Sequence, residues 1–519
     1  MRTALLDRSL KSRGVNSATA NIPAPVGGWN TRDSLAEMPP LDAPTLDNWF
    51  PRASQLVLRG GSASFATGMT GTVKTLMQYA PASGTRKLYA ATDSGIYDIT
   101  AGGAIGAVVQ ALTNGYFNSI NLANSAGTSF LWGCNGTDTP KMWNGAAWST
   151  PALTGIATPA NLVYPLLFKH RIFAIEKNSM NVWYLPIDSI QGLMAVLPYG
   201  NLLYHGGSLT AMASWTLDSG SGSDDLFAVV SSEGDLAIYQ GIDPSSASSW
   251  ALVGVWQVGK PLGRRCFQKL AGDVTLLTEN GVFPLSRLLK SGNINYATAL
   301  SNKIQPTFTA ATQAVGINTA GWESCVVPQW DALITNVPAS PPVQYVMNTV
   351  TGKWCSFSGW SANCFQVYQG TLYYGLADGI VNKAWDGVLA SDSGFDITAV
   401  VRTAYNYFGA KTQLKQVTLF RPLLNYNGGV AQSWAISPDY ANVTLSSSIP
   451  RNSSQVGSLW NTILWNTHFW SSVGATFKLW RAASHVPGYA LALWLQIATN
   501  NATVSWSGTD YILKQGGQM

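Results

Sequence analysis

At 519 residues the chain exceeds one ordinary hydrophobic core, so two or three domains are expected. Only 11% of residues are charged and 11% are aromatic, with 50 Gly and 21 Trp, which excludes a helical protein rich in Ala, Glu, Lys and Leu and points to an all-β chain dense in turns. The formal charge of +5 is too small to mark a nucleic-acid binder, and no apolar run reaches the roughly 18 residues of a membrane helix.

The first fourteen residues carry Arg2, Arg8, Lys11 and Arg13 against Asp7, a basic tail either free or ordered on a partner. They lack the apolar core of a signal peptide, so a protein made in the cytoplasm is expected. Residues 1–60 read as an extended N-terminal arm. Asp42 ahead of Ala43 and Pro44 is placed to cap one short helical turn ending near Asn48, because Asp accepts free N–H groups and Pro fits a first turn. Trp29, Trp49 and Phe50 need a surface to pack on, in their own chain or a neighbour, and are candidate interaction residues.

From residue 61 to 388 one pattern returns: an apolar strand, a short turn with Asp, Glu or Asn and a late Gly, then a second strand. Clear copies are Leu88 to Ile99 around Gly95, Leu226 to Tyr239 around Gly234, Val274 to Phe283 around Gly281, and Leu372 to Val381 around Gly379. Weaker copies surround Asn135-Gly136, Arg171 to Tyr184, and Ala332 to Trp354. Each reads as a β-hairpin, since Gly supplies positive φ and the acid or amide bonds the turn backbone. Gly234 and Gly281 lie 47 residues apart, and a period of that size is the mark of a β-propeller with about seven blades, or six. The stretch near 286–320 breaks the rhythm and reads as a rim insertion, with residues 299–305 helix-compatible up to Pro306.

Residues 389–519 carry longer alternating strands, among them 397–405, 416–422, 476–480 and 490–496, which suggests a β-sandwich. Trp460, Trp465 and Trp470 recur at a spacing of five, which fits neither a helix face nor a strand face. They read as an extended loop that docks on a neighbour, or else as filling of the sandwich itself.

No motif for metal, nucleotide or covalent catalysis is present, so no enzyme and no cofactor is expected. His170, His205, His468 and His485 have no Cys or acidic partner at ligand spacing. Cys134, Cys266, Cys325, Cys355 and Cys364 are odd in number without a C-x-x-C pair and read as packed thiols. Asp93 and Asp378 read as turn chemistry, and Asp224 and Asp225 as part of a solvated loop after Ser219 to Ser223, with glycoside hydrolysis at that pair the weaker reading.

The arm segment from Gly27 to Pro51 with Leu58-Arg-Gly-Gly61, the stretch Leu300-Ser-Asn-Lys-Ile304, the run Arg402 to Phe408, and the chain end Trp506 to Ile512 resemble structural proteins of tailed phages. They are similar to the nozzle, or tail tubular protein B, group of short-tailed phages. The resemblance implies a propeller with a platform β-domain in a virion ring of six copies. It also implies that DNA passes through the ring without sequence-specific contact, beside an adaptor and fibre or spike proteins. A weakly charged chain suits DNA sliding, because each phosphate contact adds affinity that slows transit. The alternative reading is a receptor- or carbohydrate-binding propeller at the tail tip, using exposed aromatics.

Overall fold

The computed structural model describes residues 17–218, 223–288, 296–385, 389–446, 475–477, 479–483 and 486–516. The basic tail, Trp460, Trp465, Trp470, His468 and His485 lie outside the described residues. The chain is all-β. Among the described residues, seven antiparallel groups of three or four strands follow one another in chain order, each group's strands adjacent in sequence order; the sixth and seventh belong to larger sheets. Sheet I starts with Thr75–Tyr79, sheet II with Asn118–Ala123, sheet III with Leu162–Phe168 and sheet IV with Leu209–Asp218. Sheets V, VI and VII start with Phe267–Leu270, Glu323–Val327 and Cys364–Tyr368.

Each repeated hairpin of the sequence is the link between the second and third strands of one sheet, as in Lys87–Thr92 with Gly95–Asp98 and Thr371–Gly375 with Val381–Ala384. At the latter turn Gly379 has φ of 73°, and a Cβ there would stand 1.8 Å from the Met69 carbonyl oxygen, so only glycine fits. The first strand of each sheet packs on the first strand of the next. The last, Cys364–Tyr368, packs on Thr75–Tyr79 of sheet I and closes the cycle. Sheet VII also takes Ser62–Thr67, from about 300 residues earlier, as an added strand beside Val381–Ala384.

The arm is woven into the rest of the chain. Ser17–Pro23 and Leu56–Leu58 both pair with the C-terminal strand Val504–Gln515, which pairs in turn with Lys415–Tyr426. Thr45–Asp47 lies between Trp354–Phe357, the last strand of sheet VI, and Ile397–Arg402. Ile397–Arg402, Leu491–Thr499 and Ala431–Pro438 then complete one eight-stranded sheet that starts in sheet VI. The two C-terminal sheets meet through Phe420 and Trp434, whose rings lie 5.7 Å apart.

The expected helical turn after Asp42 is instead three short strands, Asp42–Ala43, Thr45–Asp47 and Trp49–Pro51. The Asp42 carboxylate accepts from Lys303 Nζ at 2.7 Å and from Asn30 Nδ2 at 2.8 Å, so it has tertiary partners in place of a helix end. The expected helix over 299–305 is a short 3-10 turn at Asn302–Ile304. The α-helix begins only at Gln305 and runs to Val315, with Pro306 in its first turn, where the missing N–H costs nothing.

Candidate functional site

The described residues line two open cavities along the axis of the sheet cycle. One, of about 540 Å³, takes lining residues from all seven sheets or their entry loops, among them Lys74, Asn114, Lys177, Ser208, Arg264, Asn318 and Asn363. The other, of about 580 Å³, includes Gln78, Asn118, Tyr164, Gln268, Ser324 and Gln366. Consecutive residues just ahead of sheet V line one each: Arg264 the first and Arg265 the second.

Arg265 is the polar centre of the axis. Its Nη1 donates to Glu323 Oε2 at 2.7 Å, with side-chain exposures of 16% and 7%. Other guanidinium donors reach the Lys74 and Phe117 carbonyls at 3.3 Å, Thr75 Oγ1, and Asn118 Oδ1. The Tyr116 ring lies under the guanidinium at 4.5 Å, and Glu323 Oε1 accepts the Phe365 N–H. One arginine therefore ties first strands or entry residues of sheets I, II, V and VI, and Glu323 adds sheet VII. Burial opposes the charge on Arg265, and Glu323 first, with Tyr116 and other neighbours, outweighs it and holds the guanidinium above its ordinary value. Burial also pushes the Tyr116 phenol up.

A second polar cluster joins arm, ring and C-terminal sheets. Arg59 Nη2 donates to Asp392 Oδ2 at 2.6 Å and to the Ser358 carbonyl at 2.6 Å, and its Nε donates to Asn48 Oδ1 at 2.7 Å. Its guanidinium lies 4.9 Å from the Trp360 ring. Asn48, at φ of 59°, donates onward from Nδ2 to the Thr398 carbonyl at 2.7 Å. Asp47 accepts from the Ser356 and Ser358 hydroxyls, and burial raises its carboxyl above the usual range.

Of the expected interaction residues, Trp49 and Phe50 are fully buried and Trp29 is 9% exposed. Trp49 packs 6.0 Å from Trp506, Phe50 5.3 Å from Trp385, and Trp29 5.2 Å from Tyr345. All three sit inside the chain's own core, so they offer no surface to a neighbour. Segments far apart in the sequence supply their partners.

The turn acids do not converge. Asp93 accepts from Lys74 Nζ at 2.7 Å and the Gly115 N–H at 2.9 Å, Asp225 pairs with Lys169, and Asp378 is exposed on sheet VII. Among the described residues no group of three His, Cys, Asp or Glu side chains could hold a metal ion. Two of the histidines find acidic partners that lie outside ligand spacing in the sequence. His205 Nδ1 meets buried Asp235 at 2.6 Å and His170 Nδ1 meets Asp188 at 3.3 Å, in contacts that depend on folding rather than spacing. Sequence reasoning also missed Arg265 and Glu323, which are 58 residues apart with no local signal.

No family model and no curated protein matches the chain. Among solved structures, the N-terminal part of BBS1 in complex with ARL6DN aligns at 12% identity and a TM-score of 0.40, covering 63% of this chain and 98% of that one. U3-55K aligns at 11% identity and a TM-score of 0.38, covering 64% and 98%. The extracellular domain of the putative hybrid two-component system BT3049 from B. thetaiotaomicron aligns at 14% and 0.40, covering 75% and 52%. Likeness at this level carries no functional argument.

Proposed function

We propose that this chain is a structural virion protein, one subunit of a ring of about six copies that forms the DNA-ejection nozzle of a short phage tail. Residues 62–384 serve as a seven-bladed β-propeller in which Ser62–Thr67 completes the last blade. The C-terminal sheets serve as the platform that meets neighbouring subunits, the tail adaptor, and fibres or spikes. The role is not enzymatic.

The observation that supports this reading is the strand Thr45–Asp47, bonded on one edge to sheet VI and on the other to the C-terminal strand Ile397–Arg402. Through it the propeller and platform share one eight-stranded sheet, with Arg59 locked beside it. A subunit that carries load between neighbours needs its two parts to move together, and main-chain pairing joins them more stiffly than a linker would. The four segments that carry the phage resemblance also meet here. Lys303 pairs with Asp42, the Ala404 N–H donates to the Asp42 carbonyl at 3.2 Å, and Trp506 packs on Trp49.

The test is mass photometry of the full chain over a range of concentrations. A closed species of about six subunits is expected. A monomer at every concentration would reject the self-assembling ring. The axial cavity favours the second reading, a receptor- or carbohydrate-binding propeller at the tail tip, which requires no ring.

A further inference from the structure

The axial cavity of about 540 Å³ falls inside the range of about 300–1,000 Å³ common for small-molecule sites. Its wall combines three cations, Lys74, Lys177 and Arg264, with the amides of Asn178, Asn318 and Asn363, and no carboxylate is among its lining residues. Lys74 is neutralised by Asp93 just outside the wall. Lys177 gives one donor to the Gly136 carbonyl at 3.2 Å and keeps the others. Among the described residues Arg264 has the Tyr116 ring at 5.8 Å as its partner and makes no ion pair.

Two donors at this wall stand out. Arg264 Nη1 and Asn363 Nδ2 are both closed off from solvent without a hydrogen-bond partner. A buried donor left unpaired costs about 1–3 kcal/mol, and more when charged, so these two side chains gain by turning toward the cavity when a ligand there supplies acceptors. The cations select a negative ligand, and the amides and hydroxyls around them select one that both donates and accepts hydrogen bonds.

We propose that this cavity binds an acidic sugar of monosaccharide size, its anionic group held by Arg264 and Lys177 and its hydroxyls by Asn178, Asn318 and Asn363. The site holds whether or not the chain forms rings, since every lining residue comes from one copy. Burial pushes the Arg264 guanidinium below its ordinary value, which a bound anion would reverse.

The experiment is isothermal titration of the full chain with glucuronic acid, glucose 6-phosphate, glucose and inorganic phosphate. The Arg264→Gln and Lys177→Gln variants are titrated in parallel, with thermal midpoints recorded. Binding of either acidic sugar is expected, with glucose at least about tenfold weaker and each variant weakened about tenfold. Lys177 is exposed, so its variant remains informative if Arg264→Gln does not fold. Three results would overturn the proposal: no binding of either acidic sugar, phosphate bound as tightly as the sugars, or a folded Lys177→Gln variant that binds unchanged.

Discussion

Arg59 and Asp392 lie 333 positions apart in the chain and form a 2.6 Å ion pair whose arginine side chain is 1% exposed. A guanidinium so buried is tolerated only because its donors are met by Asp392, Asn48, and the Ser358 and Gly60 carbonyls. Removing one partner strands a charge. Asp392→Ala is expected to destabilise the protein by about 3 kcal/mol in urea denaturation. A loss below about 0.5 kcal/mol, ordinary for surface changes, would mean the pair does not hold the joint.

The axial pair behaves similarly, with a distinguishing control. Glu323→Ala leaves Arg265 buried without its carboxylate and the Phe365 N–H without its acceptor, and should cost about 3–5 kcal/mol. The double change Arg265→Met with Glu323→Leu removes both charges. It should cost clearly less than Glu323→Ala alone, because desolvation opposes the pair. Equal losses would show that shape rather than charge matters at the axis.

Acid should weaken the fold. Asn21 and then Arg421 hold the Asp510 carboxyl below its usual range, and the Lys169 and Thr216 contacts do the same for Asp225. At Asp98 burial pushes upward, but Lys87 and Thr100 outweigh it and the net direction is down. A folded-state value below the unfolded one means that the unfolded chain takes up protons first as pH falls. The stabilisation is therefore present above about pH 4 and is lost below it. Thermal midpoints should hold between pH 7 and about 5 and fall below about 4, with a smaller fall in Asp510→Asn. Midpoints that rise below about pH 4 would contradict these assignments, whereas a small rise above that pH is what the raised Asp47 carboxyl contributes.

The thiols should be inert in the native state. Cys134, Cys266, Cys355 and Cys364 are buried and Cys325 half-buried, and burial pushes Cys325 and Cys364 up to about 12. Ellman's reagent should label none of the five within minutes at pH 8 and all five in denaturant, because the thiolate is the reactive form. Rapid labelling of a native thiol would show an opening that the packing does not predict.

The hairpins were legible because their signal is local. A turn that needs positive φ requires Gly at a fixed offset, as at Gly234 and Gly379, and the strands on either side carry continuous apolar runs. The use of Ser62–Thr67 in sheet VII was not legible, since a six-residue strand holds no record of a partner 300 positions away. The arm misled for the same reason. Asp42 has the chemistry of a helix cap, and only the fold brings Lys303 to it. At the candidate site, Arg264 and Arg265 are adjacent in sequence, yet nothing local indicates that they line two different cavities. The aromatic residues Trp29, Trp49 and Phe50 mark in the sequence a need for something to pack on, and in the fold they pack in the chain's own core.

The most direct test of the central claim is negative-stain electron microscopy of the purified full chain, with Asp392→Ala as the control for the joint between the sheet cycle and the C-terminal sheets. Removing the N-terminal 60 residues would not serve, because those residues supply strands to both C-terminal sheets. The account predicts closed rings of about six subunits around a central opening, lost or irregular in the variant. Uniform single particles in the unaltered protein, at concentrations where oligomers would form, would contradict it.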